Sequence, residues 1–252
     1  MDFAGKSCLA DSVIIPLFKE LIPDGIEYGK MLLAEFEPDS IWYEASLTVA
    51  AQALRNSVKT DYHAFRHIPS EVSGAVARFG LNVTKLQADG FLTIIDSYTV
   101  QTGLGIAEKT KDADAFKTQS IRLSDWSIGT AQTIKKGTPE LERKRLHIDD
   151  DTSILLQYND EKVFIDHWRT RVLPEARSRE LAFLHSAVVG VHSDAFYRQF
   201  ESSADGIIEF KRQEKARQIK YLVRVKAMHG RRYDPQWHKL TLGENFEVTL
   251  EK

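Results

Sequence analysis

The residues best placed to do chemistry lie in a turn that has the setting of a phosphate-binding loop. An apolar segment, "MLLAEF" from Met31, precedes the turn, and a segment rich in alanine and leucine follows it. Phosphate-binding loops use glycines, which let backbone amides approach the phosphates, and a lysine that meets their charge. This turn has neither, and it consists of Pro38, Asp39, Ser40, Ile41 and Trp42. We expect tight phosphate binding to be lost, because Asp39 adds like charge and Trp42 fills space.

A second candidate is the acidic run Asp149, Asp150 and Asp151, which follows an apolar segment. Carboxylates at a strand end can hold Mg²⁺ through water, so a metal role is one interpretation. The alternative is structural, with Asp149 capping the following turn or pairing with Arg66. We favour the structural interpretation, because no phosphates are expected to complete the coordination shell of the metal.

Histidine chemistry receives less support from the sequence. His63 and His67 have no partners at the spacing of zinc ligands, so no metal site is expected. Ser153, His185 and His192 include the residue types of a hydrolase triad, but the chain has no G-x-S-x-G nucleophile turn. We therefore expect neither a zinc enzyme nor a serine hydrolase.

Composition limits the remaining functions. The chain has 252 residues, 42% hydrophobic and 28% charged, with 34 basic against 36 acidic residues. The near balance gives no overall attraction to nucleic acid or to an anionic membrane. A single cysteine, Cys8, fits a reducing compartment, and Pro16 interrupts the N-terminal apolar run before it could span a bilayer. We expect one cytoplasmic domain over residues 1–252, without export signal or membrane segment.

The order of elements predicts an α/β fold. Apolar, β-branched segments alternate with amphipathic helical segments, which is typical of βαβ units around a mainly parallel sheet. The predicted strands are "MLLAEF", "DYHAFRH", "GFLTIID", "RLHID", "LAFLHSAVVG" and "GIIEFK", and the predicted helices are "WYEASLTVAAQALRN", "PSEVSGAVARFG" and "NDEKVFIDHWRTRVLPEARSR". Pro69 suits a first helical turn, Gly80 suits a helix end, and Pro174 should kink or end its helix.

Two regions depart from this alternation. Residues 97–136 contain several turn signals and predict an elaborated crossover, with one short helix near "SDWSIGTAQTI". After Gly206 the pattern becomes strictly alternating, which predicts antiparallel strands at one edge of the sheet, with "GEN" as a hairpin turn.

Taken in order from Gly25 to Leu242, these segments resemble the KaiC-like branch of the RecA superfamily. The resemblance implies a three-layer αβα fold, with "GIEYGKMLLAEFEPDSIWYEASLTVAAQAL" in the place of the Walker A region and "LHIDDDTSILLQYND" in that of the Walker B strand. It also puts Trp42 at or near the position of the Walker A lysine, and Asp149 at the acidic Walker B position.

The resemblance implies that two further functional positions are replaced. Arg66 and His67 stand where the family has two glutamates that prepare the attacking water, and arginine cannot accept a proton. His67 could act as a base, although a structural role is the more usual one. Ala227 and His229 replace the lysine and arginine of the family's cationic finger, and Lys226 is displaced by one residue to the opposite strand face.

We therefore expect a catalytically inactive RecA/KaiC-like domain without a cofactor, acting as a regulatory or scaffolding module for protein contacts. Aromatic residues are favoured in interfaces, and four are candidates for a contact surface: Trp42, Tyr43, Trp126 and Trp168. Core packing is the alternative for these rings, above all for Trp168, which lies in an amphipathic helix. Ring-forming relatives also make self-association an expectation.

Two alternatives remain open. The altered loop could still bind ATP with Mg²⁺ or turn it over slowly, with Asp149 as its remaining acidic residue. A nucleic-acid accessory role is less favoured, and it depends on a local basic surface between Lys211 and Arg232. Its candidate residues are Lys211, Arg212, Arg224, Arg231 and Arg232.

Overall fold

A nine-stranded sheet is the centre of the computed structural model, which describes residues 12–98, 143–157, 160–215 and 218–251. Two short strands, β1 (Ser12–Val13) and β2 (Ile26–Glu27), pair separately in an antiparallel ribbon. The strands of the large sheet are β3 (Met31–Phe36), β4 (Thr60–Ala64), β5 (Leu92–Asp96), β6 (Leu146–Asp149), β7 (Ala182–Val188), β8 (Gly206–Lys215), β9 (Gln218–Met228), β10 (His238–Leu242) and β11 (Val248–Leu250).

Helices cover both faces of this sheet. They are α1 (Trp42–Arg55), α2 (Pro69–Arg78), α3 (Val83–Ala88), α4 (Glu161–His167), α5 (Leu173–Ser178) and α6 (Asp194–Glu201). Buried residues of α1 and α2 join one core cluster with the strands, whereas those of α4, α5 and α6 join a second cluster. The two clusters make three layers, with the sheet in the middle.

The strand order is β11, β10, β9, β8, β3, β7, β6, β4, β5. From β8 to β5 all neighbours are parallel, whereas β8, β9, β10 and β11 pair antiparallel. The predicted α/β class, with a mainly parallel sheet and C-terminal antiparallel edge strands, is confirmed. The "GEN" turn is confirmed as well, since the Gly243 amide donates to the Glu247 carbonyl at 2.9 Å between β10 and β11.

Helix α2 has the predicted ends. It begins at Pro69, where the missing amide hydrogen costs nothing, and Gly80 adopts a φ of 78° just after its end. Strand β4 ends earlier than predicted, at Ala64. The amides of Phe65 and Arg66 donate to the carboxylate of Asp150 instead of extending the sheet.

Pro174 does not end the run of helical residues, which continues from Glu161 to Ser178. Between α4 and α5 the backbone forms a π-helical segment, Trp168–Val172, and α5 starts at Leu173 with the proline in its first turn. The wider π turn absorbs a residue that lacks an amide hydrogen, so the helical path continues.

The predicted crossover over residues 97–136, including its short helix, falls outside the described residues except for Ser97 and Tyr98. Within the described ranges, none of the helices has the length and apolar character needed to cross a membrane.

Candidate functional site

Trp42 is a core residue. Its side chain is 1% exposed, and its ring packs against Phe36 and Phe210, with centroid separations of 6.1 and 5.0 Å. The indole Nε1 donates a 3.0 Å hydrogen bond to the carbonyl oxygen of Asp150. Trp42 therefore uses its bulk and its one polar atom inside the protein, where neither is available to a ligand.

The residues before Trp42 form a hydrogen-bonded β-turn. The Ser40 amide donates to the Glu37 carbonyl at 2.9 Å, and Pro38 suits the second position of such a turn. Pro38 and Asp39 are exposed, whereas Ile41 is buried. Ile41 provides no side-chain cap for α1. The five residues thus form a compact turn whose last two side chains belong to the core.

Asp150 is the residue that joins the two halves of the candidate site. Its buried carboxylate accepts hydrogen bonds from the amides of Phe65 (2.7 Å) and Arg66 (3.3 Å), and His67 Nδ1 lies 3.1 Å from Oδ2. Burial raises the pKa of Asp150, and these hydrogen bonds oppose the rise. Asp150 fixes the chain that follows β4, which sequence reasoning missed because it treated the acidic run as a unit.

His67 and Arg66 are held by this arrangement. The His67 ring stacks on Tyr43 at a centroid distance of 3.7 Å. Arg66 Nη1 lies 3.7 Å from Asp151 Oδ2, so its acidic partner is Asp151 and not Asp149. Burial raises the pKa of Asp151 to about 6, and the Ser153 hydroxyl and Arg66 oppose this. His67 Nδ1 is engaged by Asp150, which supports a structural role for this histidine.

Asp149 caps the turn after β6. Its carboxylate accepts from the Thr152 hydroxyl (2.7 Å) and the Ser186 amide (2.8 Å), and it also pairs with His185 Nδ1. The side chain is 1% exposed. These partners and its burial hold the Asp149 carboxylate inside the protein. Among residues 12–98, 143–157, 160–215 and 218–251, no group of acidic, histidine or cysteine side chains has the arrangement of a metal site.

These residues do not fit Mg·ATP. A Walker A lysine would have to reach the phosphates from the position of Trp42, whose side chain faces the core. Asp149, which the resemblance puts at the acidic Walker B position, has Thr152, Ser186 and His185 as partners. The arrangement is that of an internally satisfied polar cluster, and we derive no nucleotide chemistry from it.

The candidate basic residues do not form one surface. Lys211 and Arg224 lie over the Trp237 ring, at 3.8 and 4.6 Å from its centroid. Arg231 and Arg232 lie beyond the other end of β9, beside Glu27 and Asp24. Acidic partners accompany most of the five, in the pairs Arg212 with Glu214, Arg224 with Glu209, Arg231 with Glu27, and Arg232 with Asp24.

Two of the four aromatic candidates for a contact surface are core residues. Trp42 and Trp168 are 1% and 0% exposed, so neither can meet a partner in this conformation. Trp168 packs on Phe164, as its place in an amphipathic helix predicted. Tyr43 is half-buried beneath His67, and Trp126 lies outside the described residues.

The cationic finger positions are also used differently. His229 is exposed, and Ala227 packs beside the second core cluster. The pairing of β8 with β9 shifts register here, and Lys226 lies on the same side of the sheet as Ala227, where its ammonium contacts Glu201 of α6 at 2.9 Å and Glu35 at 3.2 Å. The predicted opposite face is therefore wrong, because strict alternation of side chains does not hold across a β-bulge.

Strand order, parallel core and antiparallel edge together define a RecA-like α/β fold. Among solved structures, a KaiC-like protein from the hyperthermophilic archaeon Pyrococcus horikoshii OT3 superposes with a TM-score of 0.68 at 17% sequence identity, over 96% of this chain and 98% of that one. At this identity the likeness shows the fold, which is that of a KaiC-like RecA protein. No protein-family model and no curated protein matches the sequence.

Proposed function

We propose that this chain is a catalytically inactive RecA/KaiC-like domain that acts through protein contacts, as a regulatory or scaffolding module. The observation that carries the proposal is the placement of Trp42 inside the core, with its Nε1 bonded to Asp150. In the resembling family this position provides the lysine that meets the phosphates. A buried indole cannot take over that role.

Two further observations support the proposal. Asp149 is buried, and its carboxylate already has Thr152, Ser186 and His185 as partners, which favours a structural role for it. Arg66 pairs with Asp151, and His67 pairs with Asp150. Neither Arg66 nor His67 is a carboxylate, so neither provides the general base that the family's glutamates provide. Two of these features, Trp42 and the pair Arg66 and His67, stand where the resemblance implies functional residues, and Asp149 is the retained acidic residue. All of them have contacts within the protein, which supports structural roles.

A titration with a fluorescent ATP analogue, with and without Mg²⁺, tests this proposal. We expect no saturable, Mg²⁺-dependent binding, because a phosphate group would lack both a lysine and the glycine amides. Saturable micromolar binding that requires Mg²⁺ would favour the alternative of a retained nucleotide site. The matched control is Asp39→Gly, which removes the exposed negative charge of the turn and leaves Trp42 in place. This variant should also fail to bind.

A further inference from the structure

A small cavity lies at the end of β3, beside the middle of β8 and outside the cluster formed by Trp42, Asp149 and Asp150. It has a volume of about 140 Å³. Its wall includes Glu35, Glu37, Glu209, Lys211, Arg224 and Trp237. At about 30 Å³ for each water-sized group, it has room for roughly five such groups.

Glu35 gives this cavity an unusual buried end. The residue is 3% exposed, and its Oε2 is 3.2 Å from the Lys226 ammonium. Its Oε1 is buried and has no hydrogen-bond donor among the described residues. A buried carboxylate oxygen without a donor is costly, so it favours any group that brings a donor into the cavity.

The remaining groups around the cavity are largely engaged with each other. Glu209 pairs with Arg224, and Glu37 Oε2 accepts from the Arg212 amide at 2.9 Å. Because these carboxylates are already engaged, the cavity does not offer the several oxygen ligands that a divalent metal needs. An ammonium group has three donors and so needs fewer oxygen atoms than a metal, and Glu35 Oε1 is an acceptor still open to it.

When Glu35 is ionised, the side chains around it have one uncompensated negative charge. Four carboxylates, those of Glu35, Glu37, Glu201 and Glu209, face three cations, those of Lys211, Arg224 and Lys226. One added cation therefore balances this group of side chains. The apolar side of the cavity, formed by Phe210 and Trp237, suits the carbon chain attached to such a cation.

We propose that this cavity binds a primary ammonium group on a short alkyl chain, with Glu35 Oε1 as its acceptor. The alkylammonium could belong to a free small amine or to a lysine side chain of a partner. The proposal is independent of the proposed function, because the site needs no nucleotide and uses none of the residues in the Pro38–Trp42 turn.

Protonation of Glu35 competes with this ligand. Burial raises the pKa of Glu35 to about 7, the nearby Glu201 carboxylate adds to the rise, and Lys226 opposes it. Glu209, Arg224 and Tyr197 are the other titratable or charged groups nearby. A proton on Glu35 removes the negative acceptor, so the ligand should bind less tightly at acid pH.

The test uses n-butylammonium chloride as probe, in calorimetric titration of the full chain, with sodium butyrate and 1-butanol as controls. We expect saturable binding of butylammonium alone. Affinity should fall about tenfold from about pH 8 to about pH 6, as the ionised fraction of Glu35 falls from about nine-tenths to about one-tenth. Butylammonium itself stays protonated over this range. Absence of saturable binding, or an affinity that does not change with pH, would overturn the proposal.

Substitution locates the site. Glu35→Gln should weaken butylammonium binding at least tenfold and remove its pH dependence. The control is Glu214→Gln, which replaces an exposed carboxylate of β8 and should change the affinity less than twofold. Equal binding to the wild type and to Glu35→Gln would overturn the proposal. If circular dichroism shows that Glu35→Gln is unfolded, the pH dependence of butylammonium binding to the wild type tests the proposal instead.

The source of the ammonium group is settled by a second probe, the methylamide of Nα-acetyl-lysine. Affinity similar to that of butylammonium identifies a lysine side chain as a ligand, whereas binding of the free amine alone identifies a small molecule. Both results support an ammonium site. Failure of both probes contradicts it without affecting the proposal of catalytic inactivity.

Discussion

Trp42 stands at or near the position where the resemblance implies the Walker A lysine. A lysine there would place a charge at the start of α1, whereas the indole fills the core between Phe36 and Phe210. Its type and position could be recognised from the sequence, and the replaced lysine was the basis of the expected inactivity. Its hydrogen bond to Asp150 could not be predicted, because the partner lies 108 residues away in the chain.

Replacing Trp42 should lower the free energy of unfolding, and the loss should be larger when more of the side chain is removed. Trp42→Ala is expected to lower the free energy of unfolding by about 3–5 kcal/mol, because a large buried ring is replaced by a cavity. Trp42→Phe keeps most of the packing and loses the bond to Asp150, so a loss of about 1–2 kcal/mol is expected. Urea denaturation followed by circular dichroism measures both. Losses below about 0.5 kcal/mol for both variants would mean that the ring is not part of the core.

Asp150 is expected to be one of the most sensitive residues in the chain. Asp150→Ala leaves the buried amide of Phe65 and the amide of Arg66 without an acceptor, so the free energy of unfolding should fall by about 2–4 kcal/mol. The same denaturation experiment measures it. Asp39→Asn is the control, because Asp39 is exposed and should change stability by less than about 0.5 kcal/mol.

The acidic run shows what spacing alone leaves undecided. Asp149, Asp150 and Asp151 are adjacent in sequence, yet each has a different partner: a turn with β7, the chain after β4, and Ser153 with Arg66. The capping role of Asp149 was predicted from its place at a strand end. The predicted partner of Arg66, Asp149, was wrong, since the partner is Asp151. The sequence shows where each strand ends, but it does not show the path of the turn that follows the strand.

At the scale of elements, three neighbouring strands bring a polar layer into the interior. His63 on β4, His147 on β6 and His185 on β7 lie on one face of the sheet, and the rings of His63 and His147 are 4.0 Å apart. Burial lowers the pKa of His63 to about 3, and the pKa of His147 is also well below its usual value. The apolar content of these strands was predictable, whereas the alignment of their histidines requires the register.

This layer should make the protein sensitive to acid. Because the pKa of His63 is about 3 in the folded chain and near 6.5 in the unfolded one, only the unfolded chain gains a proton between these values. Stability from this residue is complete above about pH 6.5 and is lost as the pH falls toward 3, at about 1.4 kcal/mol per pH unit.

His63→Leu should remove that slope. Measured by urea denaturation between about pH 6 and pH 4, the stability of this variant relative to the wild type should rise by about 1.4 kcal/mol for each unit of acidification. His229→Leu, at an exposed position, is the control. Parallel curves for His63→Leu and the wild type would show that His63 does not resist protonation.

At the scale of the whole molecule, the fold was the most predictable property. The period of the apolar residues, Pro69 at a helix start and Gly80 at a helix end each specify local structure, and their order specifies the α/β class. The predicted helix end at Pro174 was wrong, because the π-helical turn at Trp168–Val172 depends on the packing of Trp168 against α6 and β7. The basic surface was harder to predict from the sequence. The acidic partners of Arg224, Arg231 and Arg232 lie in other segments of the chain.

The assembly state should not depend on nucleotide. In ring-forming proteins of the resembling family, nucleotide bound between subunits helps to hold the ring, and association linked to a ligand needs that ligand to bind. We expect the same mass by sedimentation equilibrium with and without Mg·ATP. An increase in mass that requires Mg·ATP would show that the chain still binds nucleotide between copies.

The most direct measurement of the central claim is phosphate release from Mg·ATP by the purified chain, compared with its Asp149→Asn variant. Catalytic inactivity predicts that neither releases phosphate above the rate in buffer, because Trp42 occupies the lysine position and Asp149 is bonded within the protein. Phosphate release that co-elutes with the wild-type chain and is absent from a folded Asp149→Asn variant would contradict the claim.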